Sequence, residues 1–176
     1  MTASLLIAPL TSEAFRPYGD VIGVASALRG LPINGGRAER LTQDVHVDTS
    51  AENGRTSVAI VRATAAAMSP FRVVMLERHV LGSQAFVPLQ RSQFVVIVAR
   101  YTGLKIDLAD IRAFRTDGSQ GINYRRGVWH HPLIALSQGD EFLVIDREGP
   151  LADFETCDLD NALDFHLHED PPPQPR

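Results

Sequence analysis

Apolar positions in this chain fall in short stretches rich in valine, isoleucine, threonine and aromatics, separated by Gly, Pro, Asn and Asp. Such stretches read as strands, because β-branched and aromatic side chains suit a pleated surface while the punctuating residues supply turns. The pattern predicts strands near 41–48, 56–64, 71–79, 84–89, 93–100, 122–129, 132–137 and 141–147. Many strands joined by short turns indicate a sandwich or barrel rather than alternating βαβ units. Helical signals are few. Thr11-Ser12-Glu13 before Ala14 and Phe15 marks a helix start, which Pro17 and Gly19 end after about one turn. DLADIRAFR at 107–115 predicts a second helix, with Asp107 as N-cap and Ile111, Phe114 and Arg115 at helical spacing. GLPINGGR at 30–37 reads as an internal loop, since Pro32, Asn34 and the glycines permit turns and positive φ. DPPPQPR at 170–176 cannot pair in a sheet and reads as an extended or disordered tail, which leaves one domain over 1–169.

Length and composition agree with one soluble globular domain. The 176 residues suffice for a single core, and 44% hydrophobic with 22% charged residues sits near globular averages. No apolar run approaches the roughly 18–20 residues a bilayer requires, and MTASLLIAPL lacks the basic start of a secretory signal, so no membrane is expected and a cytoplasmic location is. Net charge is −4 with no block of like charges, which argues against nucleic acid as a partner. Cys157 is the only cysteine, excluding an intrachain disulfide and Cys-rich zinc motifs. Lys105 is the only lysine, so Schiff-base chemistry has a single, poorly placed candidate.

Two segments concentrate proton-transfer and ligand-type side chains. In LERHVLGSQAFVPL at 76–89, Glu77 and His79 share one face of a strand, and Gly82-Ser83 allows a turn that returns Gln84 beside them. A carboxylate, an imidazole and an amide around one point would suit a metal or a substrate; alternatively, Glu77 and His79 pair with Arg72 and Arg78 on a solvated face. In GINYRRGVWHHPL at 121–133, His130 and His131 are adjacent, so on a strand one faces in and the other out. Tyr124 and Trp129 either line a pocket wall or pack in the core. The chain has no GxSxG elbow and no HExxH helix.

Taken together, FRPYGDVI at 15–22, INGG with Glu39-Arg40 following, ERHVLGSQAFVPL at 77–89, and NYRRGVWHHPLIAL at 123–136 followed by DEFLVIDREG resemble the ureidoglycolate lyase family, in order and over nearly the whole chain. The resemblance implies a cupin-like β-barrel with a few short helices, a homodimer, and cleavage of ureidoglycolate to glyoxylate and urea in allantoin breakdown. It also implies divalent nickel. A cupin-type ligand set would here comprise Glu77, His79, Gln84 and His130, an unusual combination with one imidazole replaced by a carboxylate and the usual carboxylate by an amide. On that reading His130, Glu77, His79 and Tyr124 are the catalytic candidates, with Asn34, Arg40 and Gln84 as substrate-binding residues. Family members often carry a histidine where this chain has Arg125, and Tyr-His where it has Leu41-Thr42. Two other functions fit the same pocket: an amidohydrolase that releases ammonia from ureidoglycolate, and a non-catalytic ligand-binding module.

Overall fold

The computed structural model describes residues 3–23, 29–100, 106 and 108–165, and the 170–176 tail lies outside them. Fifteen strands are present among these residues. They are β1 (Ala3–Ser4), β2 (Ile7–Pro9), β3 (Gly19–Ile22), β4 (Leu31–Ile33), β5 (Ala38–Arg40), β6 (Arg55–Arg62), β7 (Phe71–His79) and β8 (Gln84–Pro88). The remainder are β9 (Phe94–Ala99), β10 (Ile111–Arg115), β11 (Gly121–Tyr124), β12 (Trp129–His130), β13 (Ile134–Ala135), β14 (Glu141–Glu148) and β15 (Phe154–Phe165). One sheet runs β1-β15-β7-β12-β9-β10-β2, with β13 also on β9, and a second runs β3-β11-β8-β14-β6. The mainly β, cupin-like expectation holds as two facing sheets; among the described residues their ladders do not join into a closed barrel.

Strand β9 explains why the first sheet is central. All six residues of FVVIVA are buried, because Phe94, Val96 and Val98 face the second sheet while Val95, Ile97 and Ala99 face the opposite way. The inner cluster between the sheets joins those three to Phe114, Phe86, Ile122, Phe142 and Val144. The outer cluster joins the other three to Val73, Leu76, Ile111, Ala113, Trp129 and Ile134. A strand buried on both faces reads as a continuous apolar run rather than an alternation.

The one-turn helix α1 (Ser12–Phe15) forms as its cap signal predicts, with the Thr11 hydroxyl accepting the Ala14 N–H at 3.2 Å and Phe15 buried. The second helix does not form. Leu108–Asp110 make a single 3₁₀ turn and Ile111–Arg115 are strand β10, paired in register with β9 and β2. Ladder pairing and burial on both faces outweigh the helical spacing. The strand expected at 41–48 does not form: the Gln43 side chain binds both backbone groups of Gly23, and the His46 carbonyl accepts the Asn123 amide at 3.1 Å. Of the loop expected at 30–37, Leu31–Ile33 are instead strand β4, and only the tip of the β4–β5 hairpin remains, where Asn34, Gly35 and Gly36 take the positive φ anticipated for them.

Candidate functional site

The site lies at one end of the space between the sheets, and an irregularity in β7 builds it. Val73 and Leu76 both belong to the outer cluster although they are three positions apart, an odd spacing that a regular strand would split between its two faces. Over the same stretch its pairing with β15 is irregular, with Met75 opposite Asp158 and Val73 opposite Leu163. The later half therefore aims Glu77 inward, opposite His130, which in turn lies opposite Val98 of the inner cluster. His79 follows on the same face two residues later.

The ligand atoms of Glu77, His79 and His130 lie within 4.8 Å of one another. His130 is 1% exposed, and its Nε2 stands 3.6 Å from Glu77 Oε1. The His130 Nδ1 lies 2.9 Å from the Val128 carbonyl, an oxygen that can only accept. The proton of neutral His130 is therefore on Nδ1, and Nε2 presents a lone pair to the cluster. Tyr124 lies flat against His130, with centroids 4.1 Å apart, and His79 stacks on it at 5.6 Å. From the second sheet, Gln84 is buried beside Tyr124, its direct partner across β8 and β11. His79 Nε2, His130 Nε2 and Gln84 Oε1 are buried without a hydrogen-bond partner. Two imidazole nitrogens and a carboxylate so arranged fit a divalent cation.

Backbone contacts hold the cluster in place. Gly127, at φ 79°, occupies a tight turn closed by Val128 N–H to the Arg125 carbonyl, a conformation that favours glycine. Its own N–H donates to the His79 carbonyl at 2.7 Å, and Arg126 Nε donates to the Val80 carbonyl at 2.6 Å. This turn divides the strand expected over 122–129 into β11 and β12, and so presents His130 from the first sheet and Tyr124 from the second. Beyond His79 the Leu81 N–H donates to Asp153, and Asp48 and Ser83 bind each other through N–H groups at 2.8 Å.

Burial is the main influence on His79 and lowers its pKa below the ordinary 6.5; the adjacent His130 adds to this, and Asp153, Glu77 and Asp146 oppose it. His79 is thus neutral near neutral pH. Burial also raises the Tyr124 phenol, with Glu77 contributing, so the hydroxyl keeps its proton. Asp146 lies in the DEFLVIDREG stretch, but nothing in that stretch marks it as a site residue, and Asp153 lies outside every stretch singled out in the sequence.

The other sequence candidates lie elsewhere. His131 faces the opposite side, against Phe71 at 5.4 Å. Arg78 does not pair with Glu77: it binds Glu155 at 2.6 Å and covers Trp129 on the outer face. Trp129 packs in the outer cluster. Asn34 and Arg40 are exposed on the β4–β5 hairpin, and no hydrogen bond or ion pair among the described residues ties them to the cluster.

A family model described as ureidoglycolate lyase matches residues 2–166. A ureidoglycolate lyase of Burkholderia mallei (strain NCTC 10229) is 49% identical over 160 residues, covering 91% of this chain and 92% of the relative. That of Burkholderia cepacia is 42% identical, covering 92% and 89%, and that of Pseudomonas entomophila (strain L48) is 44% identical, covering 83% and 86%. Among solved structures, a 3,4-ketoisomerase from Helicobacter canadensis aligns with a TM-score of 0.39 and 12% identity, over 77% of this chain and 88% of that one.

Proposed function

The chain belongs to the ureidoglycolate lyase family and is a lyase that cleaves ureidoglycolate, and on that premise we propose that the Glu77–His79–His130 cluster performs the cleavage, giving glyoxylate and urea within allantoin breakdown. The observation that carries this reading is the convergence of two unpartnered imidazole nitrogens and a carboxylate in a buried space.

Ureidoglycolate bears a hydroxyl, a carboxylate and a ureido nitrogen on one carbon. Elimination moves the hydroxyl proton to that nitrogen as the C–N bond breaks and the C=O bond of glyoxylate forms. The bare Nε2 of His130 takes the hydroxyl proton. Because oxygen and nitrogen share a carbon, the same imidazolium returns the proton to the departing nitrogen without leaving the site. Glu77 faces the imidazolium and stabilises its charge while the proton is held. Proton transfer by a positioned group typically contributes about 10²–10⁴-fold. Tyr124 fixes the plane of the His130 ring by stacking on it, and its own phenol stays protonated.

A divalent ion, for which we propose nickel, would be held by Glu77, His79 and His130; the His130 Nε2 would then be a ligand rather than the base, and the ion would supply the positive charge beside the substrate hydroxyl. Arg40, with Asn34 on the same hairpin, is the proposed carboxylate anchor. Arg126, fixed to the carbonyl after His79, is the competing cation.

A homodimer is part of the proposal. Among the described residues strand β6 is an edge of the second sheet, and Val58 and Ile60 are 65% and 56% exposed on it. An apolar edge of this kind is covered by association, here with a second copy. Among the described residues no helix is long and apolar enough to cross a membrane, and we place the enzyme in the cytoplasm.

Incubation with ureidoglycolate tests the function. Glyoxylate and urea should appear in equal amounts, faster than without protein. Stoichiometric ammonia in place of urea would make the protein an amidohydrolase, and binding without turnover would make it a ligand-binding module.

A further inference from the structure

On the inner face of the second sheet, Gln84 lies opposite Tyr124 on one side. On its other side, one residue beyond the Ile145–Ala85 pair, the β8–β14 register sets Asp146 next to Gln84. Val144 and Phe142 precede Asp146 at alternate positions and are buried in the inner cluster, so Asp146 faces the same space. Unlike Asp153, which accepts the Leu81 N–H, and Asp140, which accepts from Ser92 and Ser137, the Asp146 side chain has no hydrogen bond or ion pair among the described residues. Beside it, Gln84 Oε1 is a buried acceptor with no donor. Two neighbouring acceptors aimed into one space call for a ligand rich in N–H groups.

We propose that Asp146, with Gln84, is the ureido-binding subsite of this enzyme. The inference rests on ureidoglycolate as substrate and fixes which end of it meets which sheet. A ureido group presents two parallel N–H bonds, one from each nitrogen, and a carboxylate accepts both, as it accepts the fork of an arginine. Asp146 takes that pair, and Gln84 Oε1 takes the remaining terminal N–H. Both contacts lie in the plane of the ureido group and leave the face of the departing nitrogen open to His130 on the first sheet. The subsite selects a terminal amide: an acyl group with a methyl in that place offers one N–H instead of three.

Hydantoate and N-acetylglycine separate this role from a structural one. Both carry the carboxylate and the inner N–H, neither has the hydroxyl needed for elimination, and only hydantoate has the terminal NH₂. Calorimetry on the full chain should show hydantoate binding at least about tenfold tighter than N-acetylglycine, the effect expected of a hydrogen bond to a charged group. Asp146→Ala should abolish that preference by weakening hydantoate, leaving N-acetylglycine within about threefold, and the isosteric Asp146→Asn should do the same if the alanine variant fails to fold. Equal weakening of both ligands in a folded variant, or a preference that survives both substitutions, would overturn the subsite. The lyase reading fails separately: Asp146-dependent preference without urea release from ureidoglycolate leaves the subsite standing and removes the reaction, and turnover without that preference does the reverse.

Discussion

Tyr124 covers the ring of His130 at 4.1 Å with the two planes only 16° from parallel, although the two residues belong to different sheets. The stack ties the second sheet to the first at the point where the proposed base sits. Tyr124→Phe keeps the stacked face and should retain kcat within about threefold, because the buried phenol is not asked to ionise. Tyr124→Ala should lower kcat at least about tenfold and cost about 3–5 kcal/mol of stability through the cavity it leaves. Steady-state kinetics with denaturant titration reads both. A phenylalanine variant as impaired as the alanine variant would assign the hydroxyl a direct role.

Stability should fall on mild acidification. Burial lowers the pKa of His131, as it does that of His79, below the ordinary 6.5. Below pH 6.5 the unfolded chain therefore takes up protons that the folded protein resists, so this stability is present above 6.5 and lost as pH falls toward the folded values. The urea midpoint should drop between about pH 7.5 and about pH 5.5, and His131→Asn should make the dependence shallower. A midpoint rising over the same interval would reverse the sign.

Much of this was legible in the sequence because local signals and tertiary pairing agree. FVVIVA reads as a buried strand and becomes β9, and the same-face spacing of Glu77 and His79 appears in the structure. The opposite facing of His130 and His131 follows from strand alternation alone. Strand β15 was missed because FETCDLDNALDF is broken by Asp and Asn, yet β7 supplies a neighbour along most of it. IRAFR read as helix because its spacing at Ile111, Phe114 and Arg115 suits 3.6 residues per turn, while pairing on both edges makes it a strand. Asp146 could not be found locally, since its proximity depends on the register between β14 and β8.

Arg40 and Arg126 can be ranked by the way substrate binding responds. Arg40→Ala should raise KM more than Arg40→Lys, and the lysine variant should still be clearly impaired, because an ammonium cannot reproduce a two-point carboxylate contact. Unchanged KM in both variants, together with a raised KM in Arg126→Ala, would move the anchor to the turn beside His79.

The donor set predicts a metal stoichiometry. Nickel titrated into chelator-treated protein should bind about once per chain, and His79→Ala should abolish that binding with the fold intact. Loss of activity on chelation, restored by the ion, would make His130 a ligand rather than the base. Full activity in metal-free protein would leave His130 acting by proton transfer alone.

The central claim is that His130, not its neighbour, carries a cleavage that releases intact urea. The most direct measurement quantifies urea, glyoxylate and ammonia from ureidoglycolate with the wild-type protein, His130→Asn and His131→Asn side by side. The wild type should give urea and glyoxylate one for one, His130→Asn should be slower by at least about a hundredfold, and His131→Asn should lose far less. Ammonia in place of urea, or equal losses in the two variants, would contradict the account.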